Sequence, residues 1–540
     1  MPHSPSAVDL SPNDSWRLPP DRRRPLEDST SIVAIETLDH SIDMAVDANR
    51  LQEHLQHHSP ITRLPLEVLA YIFELYVASS KELSRPDGML PQGLFCLAQV
   101  CTLWRAVVES DPHLWTSIHF HFPDSRQSRE EDVPMVQFVL DLHLIRSGAL
   151  PISLTFTDDR MYHSATSDLI SLLVDRLRMH AQRWKCISLQ LAGDYFPLLF
   201  TFTPCNLSSL EYLSINGNAV TFSLPIMPQL NLESAANLKS FSYTGPGPSV
   251  EDRIYLHWEN LAELSFEFAS HFGGSFVSRQ RLIDLARCRN ITTCSLGIDQ
   301  PPPSVVTGSI TLPCLQTLRV RRVTGPALAH GMIDPLILPQ LQNLEIDASN
   351  LDIGNQYWHN RNFSRLLARS GCSLLRLSIQ DVGFRNDELL RCFSLSPALT
   401  SFRFIPCPRS QDLSDVIRKL DASPRNRGRR RGHVALPQLR EITMASSVER
   451  HLDSITTMFR SRTGARARAA GVATLQRAEV VFFDLWHDRS EDWFERVVNS
   501  LAQWMSENKS ENGREGEDEH LLEASVVVDS PYLPAYIDVQ

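Results

Sequence analysis

One eight-residue template recurs along the second half of this chain, and no other feature constrains its fold as strongly. It reads Pro-x-Leu-x-x-[Leu/Ile/Phe]-x-[Val/Ile/Met/Phe], and it begins at Pro313 (Leu315, Leu318, Val320), Pro339 (Leu341, Leu344, Ile346), Pro397 (Leu399, Phe402, Phe404) and Pro437 (Leu439, Ile442, Met444). The prolines stand 26, 58 and 40 residues apart, and Leu374, Leu377 and Ile379 supply the unit missing from the second interval. Looser copies without the proline come earlier: Leu210-Leu213-Ile215, Leu238-Phe241-Tyr243, Leu261-Leu264-Phe266 and Ile291-Cys294-Leu296. Each unit offers a short strand whose apolar side no single unit can bury, so successive strands are expected to stack in parallel and share one elongated core.

A period near 26 to 29 residues resembles that of leucine-rich repeats, and Asn218 and Cys407 fall where that template carries its Asn or Cys. The resemblance implies an α/β fold, an irregular leucine-rich-repeat solenoid over about residues 150–505. Asp168 to His180 and Phe363 to Ser370 have the apolar spacing of returning helices. Within 488–506, Trp493, Phe494, Val497, Val498, Leu501 and Trp504 form the apolar side of a capping helix. Segment 507–523 has a net charge of −5 and is expected to be flexible.

The chain ahead of these units has a different texture. Residues 1–29, rich in Pro, Ser, Asp and Arg, cannot repay their chain entropy by burial and are expected to be disordered. Residues 30–58 contain no Pro or Gly, and Ile35, Leu38, Ile42 and Ala45 mark an amphipathic helix, read as a cap on the next domain in preference to a coiled-coil dimer seam because the heptad breaks after two turns. A helical domain is expected over 59–122. Pro65 suits a first helical turn, Glu67 complements the helix N-terminus, and Leu69, Ile72, Phe73 and Tyr76 fall on one face. After a polar insertion from Ser79 to Gln92, Leu97, Val100, Cys101, Trp104 and Val108 mark a second face, which ends at Ser110-Asp111-Pro112 before Leu114 and Trp115. A core this small must lean on its neighbours or on a partner.

The run Leu64-Pro65-x-Glu67-Val68-Leu69-x-x-Ile72-Phe73, followed by Val100-Cys101-x-x-Trp104-Arg105 and then by Pro112-x-Leu114-Trp115, resembles an F-box. The layout of helix, box and long leucine-rich region is similar to that of F-box-like proteins abundant in mushroom-forming fungi. The resemblance implies that the box docks on a Skp-type adaptor and through it on the cullin of a cullin-RING ubiquitin ligase, while the rest of the chain selects an unknown protein substrate. The implied adaptor-binding residues are Leu64, Pro65, Leu66, Glu67, Leu69, Ile72, Phe73, Val100 and Trp104. Read from the residues alone, the same apolar face serves equally well to pack on a neighbouring helix. A repeat scaffold or protein-binding module outside ubiquitin transfer therefore stands as the alternative.

Composition narrows the remaining classes. With 52 Lys and Arg against 63 Asp and Glu, the net charge is −11, which argues against a coat for nucleic acid or anionic lipid. Arginine clusters at 425–431 and 460–468 lack interleaved aromatics for base stacking and read as solvated insertions. There is no apolar leader and no long apolar run, so the expected location is cytoplasm or nucleus, with no membrane partner. The ten cysteines show no C-x-x-C pair. His54 and His58 have metal-ligand spacing but no third ligand nearby. No phosphate-cradle, dinucleotide, zincin or hydrolase-elbow motif occurs, so neither catalysis, nor a cofactor, nor a metal is expected.

Overall fold

A computed structural model describes residues 60–80, 92–122, 133–158, 175–192, 206–218, 230–245, 254–268, 284–297, 308–321, 333–347, 357–358, 362–380, 383–384, 386–405, 413–423, 434–446, 452–483, 523–529 and 535–538. The expected disordered N-terminus, the 30–58 helix, the 488–506 capping helix, His54, His58, Cys407 and the arginines of 425–431 lie outside the described residues.

Three helices come first: α1 (Leu66–Ser80), α2 (Gln92–Val100) and α3 (Thr102–Ser110). A fifteen-stranded sheet follows, whose strands lie side by side in sequence order. They are β1 (Ser117–Phe122), β2 (Ile152–Asp158), β3 (Trp184–Ala192), β4 (Tyr212–Asn218), β5 (Ser240–Gly245), β6 (Glu263–Phe268), β7 (Thr293–Gly297) and β8 (Thr317–Arg321). After them come β9 (Asn343–Asp347), β10 (Arg376–Gln380), β11 (Ser401–Ile405), β12 (Glu441–Ser446), β13 (Arg477–Phe483), β14 (Glu523–Asp529) and β15 (Ala535–Asp538). Every neighbouring pair is parallel except the last, β14 with β15. Between strands run α4 (Val133–Arg146), α5 (Asn362–Ser370), α6 (Asn386–Leu395), α7 (Ser414–Leu420), α8 (Leu452–Ser461) and α9 (Gly464–Ala470).

The template residues set the register. Leu213, Phe241, Leu264, Cys294, Leu318, Leu344, Leu377, Phe402 and Ile442 are paired strand to strand, and two positions on Ile215, Tyr243, Phe266, Leu296, Val320, Ile346, Ile379, Phe404 and Met444 form a second row. Both rows are buried in one continuous core, each side chain contributing roughly 1.5–3 kcal/mol. The intervening row points the other way and is polar: Ser188, Ser214, Ser242, Ser265 and Ser295 occupy one register on five successive strands. Further along that face the charges pair among themselves. Arg321 reaches Glu267 at 2.9 Å and Arg403 reaches Glu479 at 3.4 Å, each across an intervening strand, and Arg319 meets Glu345 at 2.8 Å.

Backbone bonds repeat as faithfully as the side chains. The carbonyl just before one strand accepts two amides from the next: Glu211 from Lys239 and Ser240, Lys239 from Ala262 and Glu263, Ala262 from Thr292 and Thr293, and so on to Arg440, which accepts from Gln476 and Arg477. Asn237, Asn260 and Asn290 each donate a side-chain N–H to a carbonyl of the preceding unit, on Ser208, Ala236 and Glu259, at 2.7–2.8 Å. Three arginines tie the connecting segments together. Arg183 donates to the Leu144 and Leu150 carbonyls and to Ser147 Oγ, and Arg369 donates to the Ile333 and Leu336 carbonyls. Arg462, fully buried, donates to the carbonyls of Leu420 (2.6 Å), Leu436 (2.9 Å) and Ala435 (2.5 Å).

Several expectations need correction. The sheet begins at Ser117, inside the stretch read as the helical domain, because Ile118 and Phe120 continue the two apolar rows into β2. The face read through Val100, Cys101 and Trp104 is not one helix. Cys101 is extended between α2 and α3, and Arg105 Nε caps the Ala98 carbonyl instead. The stretch 460–468 is not a solvated insertion, since it lies in α8 and α9 and Arg462 is enclosed by carbonyls. Asn218 ends β4, whereas the asparagines that bridge units precede the first template leucine. Glu523 opens a strand rather than closing the flexible segment.

Candidate functional site

The chain enters α1 through a 3₁₀ turn, Pro60–Arg63, and the Pro65 carbonyl accepts the amides of Val68 (3.0 Å) and Leu69 (3.1 Å). Proline forfeits no helical bond there, and Glu67 sits in the first turn. Leu69 and Phe73, one turn apart, are buried with Leu94, Leu97, Val107, Val108, Leu114 and Trp115. The Phe73 ring lies 4.8 Å from that of half-buried Trp104. Six further apolar side chains of α1 face outward beside Glu67 and Glu74: Leu66, Val68, Tyr71, Ile72, Leu75 and Tyr76 are all exposed, Tyr71 by 60%.

The implied adaptor-binding residues therefore divide. Leu66, Glu67, Ile72 and Val100 are exposed, as is Pro65, while Leu64 is partly covered. Leu69 and Phe73 are buried in the core of this chain, because their i, i+4 stripe is the one α1 turns toward α2 and α3. Tyr71 and Leu75, which the motif did not mark, belong to the outer face instead. The signal was present, since apart from the stripe of Glu67 and Glu74 the helix carries apolar residues on more than one side.

Trp115 joins this helical unit to the sheet. Its Nε1–H donates to the Val108 carbonyl at 2.6 Å, the Arg146 guanidinium lies over its ring at 4.6 Å, and the His143 ring meets it edge-on at 5.0 Å. His143 Nδ1 is 3.1 Å from the Trp115 carbonyl, so the proton resides on Nδ1, and buried Nε2 has no hydrogen-bond partner. Burial pushes the His143 pKa down to about 4, against the opposing effect of that hydrogen bond.

Buried thiols elsewhere are poor nucleophiles. Burial pushes Cys288 up to about 12, and Cys294 and Cys392 are raised for the same reason. Among the described residues no group of three metal-ligating side chains gathers, and no helix is long and apolar enough to cross a membrane.

This arrangement is that of a small helical unit followed by a long parallel sheet. A family model described as F-box-like matches residues 61–121, so an F-box-like domain occupies that stretch. F-box domains in general bind Skp-type adaptors, and such a domain indicates, in general terms, a ubiquitin-ligase adaptor role. No curated protein matches the chain.

Proposed function

We propose that this chain is the substrate-recognition subunit of a cullin-RING, SCF-type ubiquitin ligase. Its F-box-like domain docks on a Skp-type adaptor and through it on a cullin, and the strand array, an irregular leucine-rich-repeat solenoid, binds a protein substrate. The protein performs no chemistry of its own and works in the cytoplasm or nucleus.

The observation that carries the reading is α1. Leu69 and Phe73, with Ala70 and Val77 beside them, serve the domain's own core, yet six more apolar residues are exposed on the same helix. A contiguous apolar surface on so small a unit is the mark of a partner groove, and a few desolvated side chains then carry most of the affinity. The in-register serine row and the mutually paired charges give the array a polar face suited to selecting a partner by shape and hydrogen bonds.

Co-purification of the chain with a Skp-type adaptor tests this. Replacing Leu64 and Pro65 together by Ala, or Tyr71 and Leu75 together by Ala, is expected to weaken adaptor binding at least tenfold, about 1.4 kcal/mol, with the sheet still folded. Failure of the unmodified chain to bind any such adaptor, or unchanged binding by both variants, would favour the scaffold outside ubiquitin transfer.

A further inference from the structure

The polar face of the sheet is made of two unlike halves. On β1 to β5 the three outward positions of each strand, fifteen in all, hold no Asp, Glu, Lys or Arg, whereas from β6 to β13 every strand except β7 carries one or two there. In the charged half polar groups answer one another: Ser295 and Arg321 both donate to Glu267, Asn343 donates to Thr317, and Thr443 and Arg403 both donate to Glu479. The neutral half is different. Thr155, Ser188, Ser214, Ser242 and, at its border, Ser265 stand in one register on five successive strands. All five are half-buried, and among the described residues none of their hydroxyls has a hydrogen-bond partner. Tyr212 and Asn216, on either side of Ser214, are likewise unpaired, and Tyr212 is 36% exposed.

Such a row restricts what can lie across it. A charged group set down on β2 to β5 would give up its hydration and meet no opposite charge on the face, so the occupant there is uncharged. The first carboxylates met along the face, Glu263 and Glu267 on β6, are already engaged by Ser240, Ser295 and Arg321. From Thr155 to Ser265 the hydroxyls recur strand by strand over four spacings of about 4.8 Å, roughly 19 Å in all. A partner in the extended β conformation repeats on one side about every 6.8 Å and falls out of step with them. A polyproline II chain repeats every three residues, about 9.3 Å, which matches two strand spacings of about 9.6 Å. Its backbone carbonyls make no internal hydrogen bonds, and proline brings no N–H in need of an acceptor, so a row of hydroxyl donors suits it. The exposed Tyr212 ring beside the row offers an aromatic surface for a proline ring.

We infer that the array receives its partner on the neutral half, β2 to β6, and that the occupant is an uncharged, proline-rich segment of another protein in the polyproline II conformation. About six residues of such a segment cover the row. Their carbonyls accept from Thr155, Ser188, Ser214, Ser242 and Ser265 while a proline ring packs on Tyr212. The inference rests on the reading of the array as the part that binds a protein substrate, and adds to it the place and the chemistry of the bound segment.

The test titrates the full chain by calorimetry with decaproline blocked at both ends, beside a blocked Gly-Ser repeat peptide of equal length and maltohexaose. Saturable binding of decaproline alone is expected. Replacing Ser188, Ser214 and Ser242 together by Ala is expected to weaken it about tenfold or more, and Ser214→Asp, which sets an uncompensated charge into the row, by at least as much. Ser378→Ala, in the same register but on β10 in the charged half, is expected to leave it unchanged. Thermal melts of all variants are expected to coincide, because none of these side chains faces the core. Four results overturn the inference: no binding of decaproline by the unmodified chain, equal or tighter binding of the Gly-Ser peptide or the oligosaccharide, undiminished binding by the triple variant, or an equal loss in Ser378→Ala. Adaptor capture by the same proteins, expected to be unchanged, is read separately, so that failure of the ligase reading and failure of this one are told apart.

Discussion

Acid should loosen the joint between the F-box-like domain and the sheet through His143. That imidazole is fully buried against Trp115, its Nδ1–H is committed to the Trp115 carbonyl, and a proton arriving at Nε2 finds no acceptor. The folded pKa of about 4 lies below the ordinary 6.5, so on acidification the unfolded chain takes up the proton first. The stabilisation is complete above pH 6.5 and is lost as pH falls through the window between 6.5 and 4. At pH 5 the linkage amounts to about 2 kcal/mol, and below pH 4 to about 3 kcal/mol. Hydrogen exchange of peptides spanning 136–147, followed through a urea series at pH 7.5 and pH 5, reads that joint locally. The unmodified chain should lose about 2 kcal/mol more than His143→Gln over this interval. Equal losses in the two proteins would refute the assignment, because carboxylates elsewhere contribute to both alike.

Arg462→Ala removes the donor shared by three carbonyls, two of them buried, and should cost about 3–5 kcal/mol, read as a lowered melting temperature, and Arg462→Lys should rescue little because one ammonium cannot match the planar fork. Asn260→Ala should cost about 1 kcal/mol in chemical denaturation, and Asn237→Ala with Asn260→Ala more than either alone, since both bridge successive units. Phe73→Ala should cost about 3–5 kcal/mol and disorder the helical domain by circular dichroism, whereas Tyr71→Ala should leave stability within about 0.5 kcal/mol.

What the sequence revealed and what it concealed follow from how each residue is encoded. Strand positions such as Leu318, Val320, Leu344 and Ile346 were legible because alternation assigns a side chain to one face, and the face fixes the register. On α1 the same logic fails, for a helix with apolar residues on most of its circumference does not announce which stripe is core, and Leu69 and Phe73 could be told from Leu66 and Tyr71 only by where α2 and α3 lie. Asn237, Asn260 and Asn290 look like ordinary surface amides until the carbonyls of the preceding unit come within reach. Arg462 was hidden by its neighbours, because a run of arginines reads as solvated charge and only the tertiary fold encloses one of them.

The parallel order of β1 to β14, each strand bonded to its sequence neighbours, gives the sheet a mechanical axis. A pull along that axis falls on one inter-strand ladder at a time, so the array should yield in many small steps rather than one large one. The steps need not be equal. The carbonyl that accepts two amides recurs at 211, 239, 262, 292, 316, 342, 375, 400 and 440, so between these positions the slack released by a detached strand varies from 23 residues to 40. A force trace of this protein would therefore display its loop lengths in order, with the F-box-like domain separating at the end where Trp115 meets α4.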